Sequence, residues 1–562
     1  MSDSKPTICL NMIVRNEAHI VHELLDSVAP FIDSWVIVDT GSTDGTQDKI
    51  RSHMAGLGIP GELHERPWRD FGHNRSEALA LARGRADYIW VMDADDVLVG
   101  MPDFTGLTAD VYQLLYGPDV AYWRRQLFRG DMPWRYVGVL HEYADCDVPF
   151  EELRLEGDYY IESRRLGGRN LDPEKYARDA AILLTEVERD PENPRSVFYL
   201  AQSYFDYGDM VNARKWYERR AAMAGYDEEI YYALARVGEC MANLGEPWPD
   251  VQDAYLRAWE FRPTRAETLY SIAYWYRSRE RYRLGYLFAE QAAGIPLPES
   301  DALFVSADIY LWKAKDELAV CASWIGKQDE SFALCREILA RDDVPEDARQ
   351  RIAGNRDICV PTVIEHTGAY PVDKAQDSIV RPGGDVTLTM VAGPDRAATE
   401  GTLNSLLNCF SDTTRVARIL IADIGLWPED RATLLDLYPG VEIRSFAPGL
   451  QPRQLRGEVS TRFWLSLGMG WRFVAIEDYI GRLTAVLDAE CQICQVGVNV
   501  GDKDKADGTV ATLSSVRRGP GTGHYVRTDV ASAGPSMFDC SRWDGSQTSL
   551  RTATLDEVLC IL

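Results

Sequence analysis

The chain has 562 residues, of which 46% are hydrophobic and 26% are charged, and its formal net charge is −27 at pH 7. This length exceeds what one hydrophobic core can organise, so we expect roughly three or four domains. The acidic balance argues against a nucleic acid partner, because affinity for nucleic acid rests on phosphate neutralisation by Lys and Arg. A nucleotide needs only a local basic patch and is still allowed.

Targeting and membrane segments are the next features on which the sequence bears. The chain has no apolar run of about 18 residues, the length that a membrane-spanning helix requires. Residues 1–6 do not have a signal-peptide pattern, so we expect a cytoplasmic protein that does not associate with membranes. The C-x-x-C pair at Cys491 and Cys494 has no second pair or histidines nearby, which favours packing over a zinc or redox role.

Residues 7–46 predict a strand–helix–strand unit. An apolar run at 7–14 is typical of a buried strand, and a helical pattern that Pro30 ends follows it. Residues 35–38 predict a second strand, which ends at Asp39 in a loop rich in turn formers and helix N-caps. This order implies a parallel sheet with a right-handed crossover. Asp39 is placed to accept hydrogen bonds from a ribose or a base edge; the alternative is a plain N-cap.

A third strand ends in a cluster of acids. Residues 88–92 are all apolar, which predicts a strand buried on both faces, and Asp93-Ala94-Asp95-Asp96 follows. Ligands of open α/β sheets bind outside the carboxyl ends of the strands. If the strand continues, Asp93 and Asp95 point the same way, and their oxygens converge on one hard cation, Mg²⁺ or Mn²⁺. The alternative is an acidic strand-to-loop turn.

Four segments of this part of the chain form a set. They are Asn11-Met12-Ile13-Val14-Arg15-Asn16-Glu17, Asp39-Thr40-Gly41-Ser42-Thr43-Asp44-Gly45-Thr46, Asn74-Arg75 and Asp93-Ala94-Asp95-Asp96. Together and in this order they resemble the motifs of family 2 glycosyltransferases, which have the Rossmann-like GT-A fold. Each segment is weak evidence alone, whereas the ordered combination is strong.

The resemblance implies a binding site for a nucleoside diphosphate sugar. Glu17 and Asp39 would contact the nucleoside, and Arg75 would lie near the base or the diphosphate. Asp93 would face the ribose or the metal, and Asp95 of the DXD motif would ligate a divalent cation that bridges the diphosphate. The matching motifs also place Arg15 and Asn74 in the donor-binding set. A metal and an arginine both neutralise the charge that develops on such a leaving group.

A candidate catalytic pair follows further along the chain. The apolar run at 134–140 ends in His141-Glu142. An inverting transfer needs a carboxylate or imidazole that takes the proton from the acceptor hydroxyl. In the resembled family an acid near this position has that role, so we expect Glu142 to be the base, with His141 as a second base or metal ligand. Alternatively, the pair ends a strand and only orients its neighbours.

One departure from the family pattern concerns the metal. Many relatives carry a metal-binding His shortly after the catalytic acid, whereas residues 160–169 contain no His. Either the metal has fewer protein ligands, or Arg164 and Arg169 hold the diphosphate themselves through bidentate contacts.

From Pro173 the apolar period becomes helical and predicts a helical repeat. Leu200-Ala201, Tyr204, Gly208, Ala213 and Tyr217 fall in the order of a tetratricopeptide repeat, whose period is about 34 residues. Further copies begin near Leu234 and Ile272, and residues 304–339 supply a degenerate hairpin. The resemblance implies a concave surface for a peptide or protein, and the alternative is that the helices only brace the flanking domains.

The last part of the chain predicts a second α/β domain. A strand at 386–391, a helix through 403–407 and a strand at 419–422 that ends on Asp423 repeat the order at the start of the chain. Residues 471–478, which end in Glu477-Asp478, resemble the strand before Asp93. We therefore expect a GT-A-like domain, and we expect it to be inactive because the Gly-Ser-Thr-Asp-Gly loop is absent.

The expected fold class is multidomain, with three parts. Residues 1–170 form an α/β GT-A catalytic domain, residues 171–365 an all-α tetratricopeptide-like repeat, and residues 375–562 a degenerate α/β GT-A-like domain. The expected function is that of an inverting, metal-dependent glycosyltransferase of the hexosyltransferase type. It would move a sugar from a nucleoside diphosphate, with UDP expected, to an acceptor hydroxyl.

Acceptor and partners are less strongly indicated. A protein or peptide held by the repeat is favoured, glycan or lipid-linked acceptors come next, and nucleic acid comes last because of the net charge. The alternative from another class is a non-catalytic repeat scaffold with vestigial nucleotide-sugar domains. The sequence leaves open whether the chain forms a homo-oligomer.

Overall fold

The computed structural model describes residues 5–117, 122–164, 166, 173–376, 380–498, 517–528, 534–543, 552–555 and 560–561. The chain divides into two compact units, Met1–Phe261 and Arg262–Leu562. The division falls inside the predicted repeat, so the first unit contains both the N-terminal α/β domain and the first helical hairpins.

The N-terminal α/β domain is built on one mixed sheet. Its elements are β1 (Ile8–Val14), α1 (Val21–Val28), a 3₁₀ turn (Ala29–Phe31), β2 (Ser34–Asp39), α2 (Thr46–Leu57), β3 (Gly61–Glu65), α3 (Phe71–Ala82), β4 (Tyr88–Val91), β5 (Asp96–Gly100), β6 (Val111–Tyr116), β7 (Tyr122–Arg129), β8 (Trp134–Val137), β9 (Tyr143–Cys146), β10 (Glu152–Arg154) and β11 (Tyr159–Ser163). The strand order is β3-β2-β1-β4-β7-β6-β11-β5, with β10 paired to β6 and with β8 and β9 paired separately. The strands from β3 to β4 run parallel, as predicted, and β7 joins them antiparallel.

The strands β1, β2 and β4 are mostly apolar because both faces of the sheet are covered there, whereas the edge strand β3 is polar and partly exposed. All four residues of β4 are buried, and Trp90 is completely inaccessible. On one face, α1 contributes Val21, Leu24, Leu25 and Val28 to a core that also contains Trp90.

The condition that the third strand continues through the acids is not met. β4 ends at Val91, and the amide of Asp96 donates to the carbonyl of Asp93 at 3.1 Å, which closes a turn. Strand alternation therefore does not set the directions of Asp93 and Asp95. The alternative of an acidic strand-to-loop turn describes the local backbone.

The predicted helical repeat is present in both units. The first unit contains α4 (Lys175–Arg189), α5 (Pro194–Tyr207), α6 (Met210–Ala221), α7 (Asp227–Asn243) and α8 (Trp248–Phe261), and the second contains α9 (Glu267–Arg277), α10 (Tyr282–Ala293), a π-helical turn (Ile309–Lys313), α11 (Ala314–Trp324), α12 (Gln328–Leu339), α13 (Glu346–Thr367) and α14 (Val372–Gln376). In the first hairpin Ala201 and Ala213 are completely buried, and Gly208 ends α5 with φ of 90°. These small residues have the positions that paired helices require for close approach.

The prolines and glycines of the polar segment 360–384 predict a link between the repeat and the last domain, and this prediction is partly wrong. α13 continues through Pro361 to Thr367, so residues 360–367 are helical. Cys359, Val360 and Val363 on this helix are buried in the core of the C-terminal α/β domain, and this packing overrides the local helix-breaking tendency of proline.

The C-terminal α/β domain repeats the strand arrangement of the first. Its elements are β12 (Val386–Ala392), α15 (Arg396–Cys409), β13 (Val416–Asp423), α16 (Pro428–Leu437), β14 (Val441–Ser445), α17 (Pro452–Arg456), β15 (Phe463–Leu467), β16 (Arg472–Phe473), α18 (Tyr479–Ala489), β17 (Gln495–Gly497), β18 (Arg517–Gly519), β19 (Gly523–Thr528), β20 (Ser536–Asp539), β21 (Thr552–Leu555) and β22 (Cys560–Ile561). The main sheet has the order β14-β13-β12-β15-β20-β17-β21-β19-β18. As in the first sheet, four parallel strands are followed by an antiparallel one.

The prediction that residues 471–478 repeat the strand before Asp93 is wrong. β15 lies beside β12 and has the place that β4 has beside β1, whereas the extended residues 472–473 pair with β22. Asp478 accepts a hydrogen bond from the amide of Gly481 at 2.9 Å and so caps α18. Two apolar runs lie close together here, and periodicity alone did not distinguish them.

Two further expectations concern cysteines and membranes. Cys494 is buried in an apolar cluster with Trp464 and Phe538, while Cys491 is exposed. Among the described helices, none combines the length and the apolar character that crossing a membrane requires.

Candidate functional site

The loops after β1 and β2 lie side by side at the carboxyl edge of the first sheet. The amide of Asn16 donates to Oγ of Ser42 at 2.8 Å, and Oδ1 of Asn16 accepts from the amide of Thr43 at 2.8 Å. The amide of Glu17 donates to Oγ1 of Thr46 at 2.9 Å. The two loops predicted to bind the nucleoside therefore form one cross-linked structure.

Asp39 ends β2 inside this structure and is only 1% exposed. Its Oδ1 accepts from the amides of Gly41 and Ser42, both at 2.9 Å, and from the side-chain amide of Gln47 at 3.0 Å. Its Oδ2 is buried and has no hydrogen-bond partner in the part of the chain that the structure describes. A buried carboxylate oxygen without a partner is costly, so a donor group of a ligand would be favoured at this atom.

Arg75 lies within a series of partly buried ion pairs. Its Nε donates to Oε1 of Glu142 at 2.7 Å, and its Nη2 donates to Oδ1 of Asp93. Oδ2 of Asp93 accepts from Nη1 of Arg124 at 3.1 Å. We call Glu142–Arg75–Asp93–Arg124 the ion-pair chain. It connects the predicted base to the predicted donor-binding residues.

The ion-pair chain keeps Asp93 and Arg75 charged. Burial alone would raise the pKa of Asp93, but the guanidinium groups of Arg75 and Arg124 outweigh it and hold this pKa well below its usual range. Burial would lower the pKa of Arg75, but the charges of Asp93 and Glu142 raise it above its ordinary value. Nη1 of Arg75 is buried and has no hydrogen-bond partner among the described residues, which leaves a cationic donor for an anionic ligand.

Asp95 lies beside Arg164 in the turn after β4. Its carbonyl accepts from the amide of Arg164 at 3.4 Å, and its side chain is half-buried. Nη1 of Arg164 forms an ion pair with Glu23, and Nη2 is buried without a hydrogen-bond partner in the described ranges. Within those ranges no group of three or more His, Cys, Asp or Glu is arranged to hold a metal ion. Metal binding by Asp95 and Asp93 therefore stays a prediction.

The two predicted catalytic groups lie in different environments. Glu142 is in contact with Arg75, whereas the ring of His141 stacks on Tyr199 of α5, with 3.9 Å between ring centroids and an interplanar angle of 7°. The carbonyl of His141 accepts from Nη2 of Arg195 at 3.0 Å and from its Nε at 3.3 Å. Glu142 therefore belongs to the ion-pair chain, whereas His141 lies against α5.

His141 also has an unusual backbone conformation. Its φ of 51° lies in the left-handed region, which costs a residue other than glycine about 1–3 kcal/mol. Such a conformation persists only where the surrounding contacts impose it, and here those contacts come from α5.

Residues 9–101, which contain Asp39, Arg75, Asp93 and Asp95, match the sequence model of the family described as Glycosyl transferase family 2. The N-terminal domain is a family 2 glycosyltransferase domain. The chain combines this domain with tetratricopeptide-like helices.

Similarity to individual proteins covers only parts of the chain. The TPR repeat-containing protein Synpcc7942_0270 of Synechococcus elongatus is 38% identical over 92 residues, which are 16% of this chain and 21% of that protein. The SPbeta prophage-derived glycosyltransferase SunS of Bacillus subtilis is 23% identical over 219 residues, which are 35% of this chain and 49% of that protein. The chain thus spans about a fifth and about half of the lengths of these two relatives.

Matches to solved structures have lower sequence identity than these two relatives. The crystal structure of MamA has 16% sequence identity, and the match covers 29% of this chain and 87% of that one. Its TM-score of 0.24 is too low to define a common fold.

Sequence reasoning missed Arg124 as a site residue of the family 2 domain. Arg124 lies on β7, ion-paired to Asp93 and with its guanidinium 5.9 Å from the ring centroid of Tyr116. The hydroxyl of Tyr116 donates to Oδ2 of Asp96 at 2.8 Å. Burial, with a further contribution from the charge of Asp93, raises the pKa of Asp96 to about 7. The alternation of cationic and aromatic residues on β7 was the sequence signal for this cluster.

The predicted donor-binding set also contains Asn74, Arg15 and Arg169. Asn74 is completely buried, and its side chain accepts from the amide of Arg69 at 2.9 Å and donates to the carbonyl of Pro67 at 3.1 Å. It therefore holds the backbone before α3. Arg15 is exposed beside the β2 loop. Arg169 lies outside the described residues.

The C-terminal domain has a modified version of the same strand ends. Asp423 ends β13 as Asp39 ends β2, and its Oδ1 accepts from the amides of Gly425 at 2.9 Å and Leu426 at 2.7 Å. Its Oδ2, however, accepts from Nη1 of Arg431 at 3.3 Å. Oδ2 of Asp39 has no partner among the described residues, whereas the equivalent oxygen of Asp423 accepts from an arginine.

The strand registers also locate the equivalents of the metal motif. Val14 pairs with Asp39 and Asn11 with Val91, whereas Ala392 pairs with Asp423 and Thr389 with Ser466. In both domains, the residue that pairs with the next strand lies three positions before the residue that pairs with the aspartate. Counting on from Val91 and from Ser466, this correspondence places Gly468 where the family 2 domain has Asp93, and Gly470 where it has Asp95.

Proposed function

We propose that this protein is an inverting, metal-assisted glycosyltransferase of the hexosyltransferase type. It would move a sugar from a nucleoside diphosphate donor, with UDP the expected carrier, to an acceptor hydroxyl. The observation that supports this best is the ion-pair chain at the carboxyl edge of a family 2 domain, because it links the carboxylate proposed as the base to the arginines proposed to bind the diphosphate.

Donor binding is proposed along the cross-linked loops and the arginines. Oδ2 of Asp39 would accept a hydrogen bond from the base or the ribose, and Glu17 lies in the neighbouring loop. Nη1 of Arg75 and Nη2 of Arg164 would donate to the diphosphate, whose negative charge grows as the bond to the sugar breaks.

The carboxylates of Asp95 and Asp93 suit a hard cation such as Mn²⁺ or Mg²⁺, which takes oxygen ligands and keeps phosphate and water as others. Because both oxygens of Asp93 already accept from guanidinium groups, Asp95 would be the principal protein ligand. Such an ion would supply electrostatic stabilisation of the leaving diphosphate.

Glu142 would take the proton from the acceptor hydroxyl as that oxygen attacks the anomeric carbon. In an inverting transfer the acceptor approaches from the side opposite the leaving nucleoside diphosphate, in a single displacement. The bond from Arg75 holds one carboxylate oxygen of Glu142 in place. This contact couples the position of the base to that of Asp93.

A direct assay tests the function. The 562-residue chain would be incubated with UDP-, GDP- and dTDP-linked hexoses, with Mn²⁺ and with chelator, and release of the nucleoside diphosphate would be followed. We expect release from at least one donor, faster with Mn²⁺. The absence of release from every donor would favour the second candidate, a non-catalytic scaffold.

The scaffold alternative is supported by the C-terminal domain. There the equivalent carboxylate is occupied by Arg431, and glycines stand at the positions of Asp93 and Asp95. The family 2 domain, by contrast, has aspartates at these positions and an Asp39 oxygen without a partner among the described residues. We therefore propose one active domain and one inactive domain.

The acceptor proposal rests on the helical repeat. Repeats of this class present extended surfaces to peptides, so a protein acceptor is favoured over a glycan or lipid-linked one. The helices α4–α8 belong to the same compact unit as the family 2 domain. An acceptor bound to these helices would be held by the unit that contains the proposed site.

A further inference from the structure

The loop that carries Glu142 is held from two helices. This loop, residues 138–142, joins β8 to β9. From α3, the amide of Phe71 donates to the carbonyl of Val139 at 3.2 Å, and Arg75 donates to Glu142. From α5, Arg195 donates to the carbonyl of His141. The loop therefore depends on both the family 2 domain and the first tetratricopeptide-like hairpin.

The contacts from α5 reach the residues on both sides of Glu142. Tyr199 stacks on the ring of His141 at 3.9 Å, which precedes Glu142. The guanidinium of Arg195 lies 5.2 Å from the ring centroid of Tyr143, which follows Glu142, and 5.0 Å from that of Tyr199. The two α5 side chains thus contact each other as well as the loop. Between these contacts, His141 has its left-handed backbone conformation.

We propose that Tyr199 and Arg195 are positioning residues for Glu142, so that the first hairpin of the repeat completes the catalytic site. This inference rests on the proposed function, in which Glu142 is the base. Loss of the stacking surface would release the backbone at His141 from its left-handed conformation and displace Glu142. A displacement of about 1 Å can reduce the rate about 100-fold.

The kinetic test uses variants of the 562-residue chain and release of UDP from UDP-glucose or, if another donor is hydrolysed faster, from that donor. We expect Tyr199→Ala to lower kcat about tenfold or more while KM for the donor changes by less than about twofold. Tyr199→Phe keeps the stacking ring and should restore kcat to within about twofold of wild type. Arg195→Gln, which replaces the guanidinium and its two bonds to His141 with a shorter neutral amide, should also lower kcat. Tyr207→Ala changes an exposed tyrosine on the same helix and should alter neither parameter.

A second measurement does not require turnover. Hydrogen–deuterium exchange of the amides at 139–143 should become about tenfold faster in Tyr199→Ala and in Arg195→Gln, but not in Tyr199→Phe or Tyr207→Ala. Thermal unfolding of each variant separates local release of the loop from global loss of the fold. If Tyr199→Ala fails to fold, Arg195→Gln carries the test.

The outcomes distinguish the two proposals. Unchanged exchange in the loop, or a rise in KM with kcat unchanged, would overturn the positioning role. If Glu142→Gln retains full turnover, the base assignment fails, yet the exchange experiment still decides whether α5 holds the loop. A fall in kcat with faster exchange, reversed in Tyr199→Phe, supports the inference.

Discussion

Arg75 shows how much of the site depends on a single side chain. Its planar guanidinium donates in two directions, to Glu142 and to Asp93, and leaves a third nitrogen buried without a partner among the described residues. A lysine could not reproduce this geometry, because its ammonium is a point charge and not a fork. At the residue scale, then, the site is a set of charges whose positions are fixed by one another.

Asp95 is the residue whose loss should separate activity from folding. Because its side chain is half-buried and lies in a turn, Asp95→Asn should leave thermal stability nearly unchanged. We expect kcat/KM for donor hydrolysis to fall by more than tenfold, equivalent to about 1.4 kcal/mol of transition-state stabilisation. Asp48→Asn, at an exposed position in α2, is the matched control. A variant that keeps more than a tenth of wild-type kcat/KM would exclude Asp95 from the metal site.

Glu142 should affect the chemical step and not donor binding. In Glu142→Gln the amide oxygen can still accept from Arg75, so the Kd of UDP measured by calorimetry should stay within about threefold of wild type. Loss of the base should lower kcat by about 100-fold or more. Glu151→Gln, an exposed position on the same domain, provides the control. A collapse of UDP affinity with kcat preserved would make Glu142 a binding residue.

At the scale of elements, the position of α3 determines where the catalytic loop can lie. Gly72 lies in the first turn of α3, and a Cβ there would come within 2.2 Å of the carbonyl oxygen of Gly138. The helix therefore approaches the start of loop 138–142 more closely than a residue with a Cβ atom at position 72 would permit. The same helix carries Arg75, so both the loop and the ion-pair chain depend on its placement.

This close approach predicts opposite effects for two helical glycines of the same domain. The methyl group of Gly72→Ala would collide with the backbone of Gly138. The substitution should therefore lower the free energy of unfolding by about 1–3 kcal/mol, with loss of turnover. Gly56→Ala in α2 meets no atom within 4 Å, so its effect should range from neutral to a gain of about 1 kcal/mol from helix propensity. Urea unfolding of both variants checks the pair. Equal stabilities would show that the helix can shift away from the loop at little cost.

At the scale of the whole molecule, the first compact unit extends beyond the α/β domain. The unit ends at Phe261 and includes α4–α8, and α5 contacts the loop of Glu142. The C-terminal domain belongs to the second unit and has no equivalents of Asp93 and Asp95 at the matching strand positions. The catalytic unit should therefore be larger than the predicted domain of residues 1–170.

Truncation tests this division of the chain. A fragment of residues 1–261 should retain donor hydrolysis within about threefold of the 562-residue chain, because it contains every residue of the ion-pair chain and α5. A fragment of residues 1–170 should be slower by about tenfold or more, because the support of the catalytic loop by α5 is missing. Rates of UDP release from both soluble fragments provide the comparison. Equal rates would show that the hairpin only braces the domain.

The sequence by itself determined the strands β1, β2 and β4, the carboxylates at their ends and the hairpins of the repeat. These features depend on signals contained in short windows: apolar runs, turn formers, helix caps and small residues at regular spacing. The topology rule for parallel strands then brought Asp39 and Asp93 to one edge of the sheet.

Only the tertiary structure decided how those residues are connected. Arg75 and Glu142 are 67 positions apart in the chain, and Arg195 and His141 are 54 apart, so no local pattern could pair them. Tertiary contacts also decided that β15, and not residues 471–478, lies beside β12, that α13 continues through Pro361, and that Arg124 pairs with Asp93. Each depends on packing against distant segments, whose free energy exceeds the local preferences that a sequence window reveals.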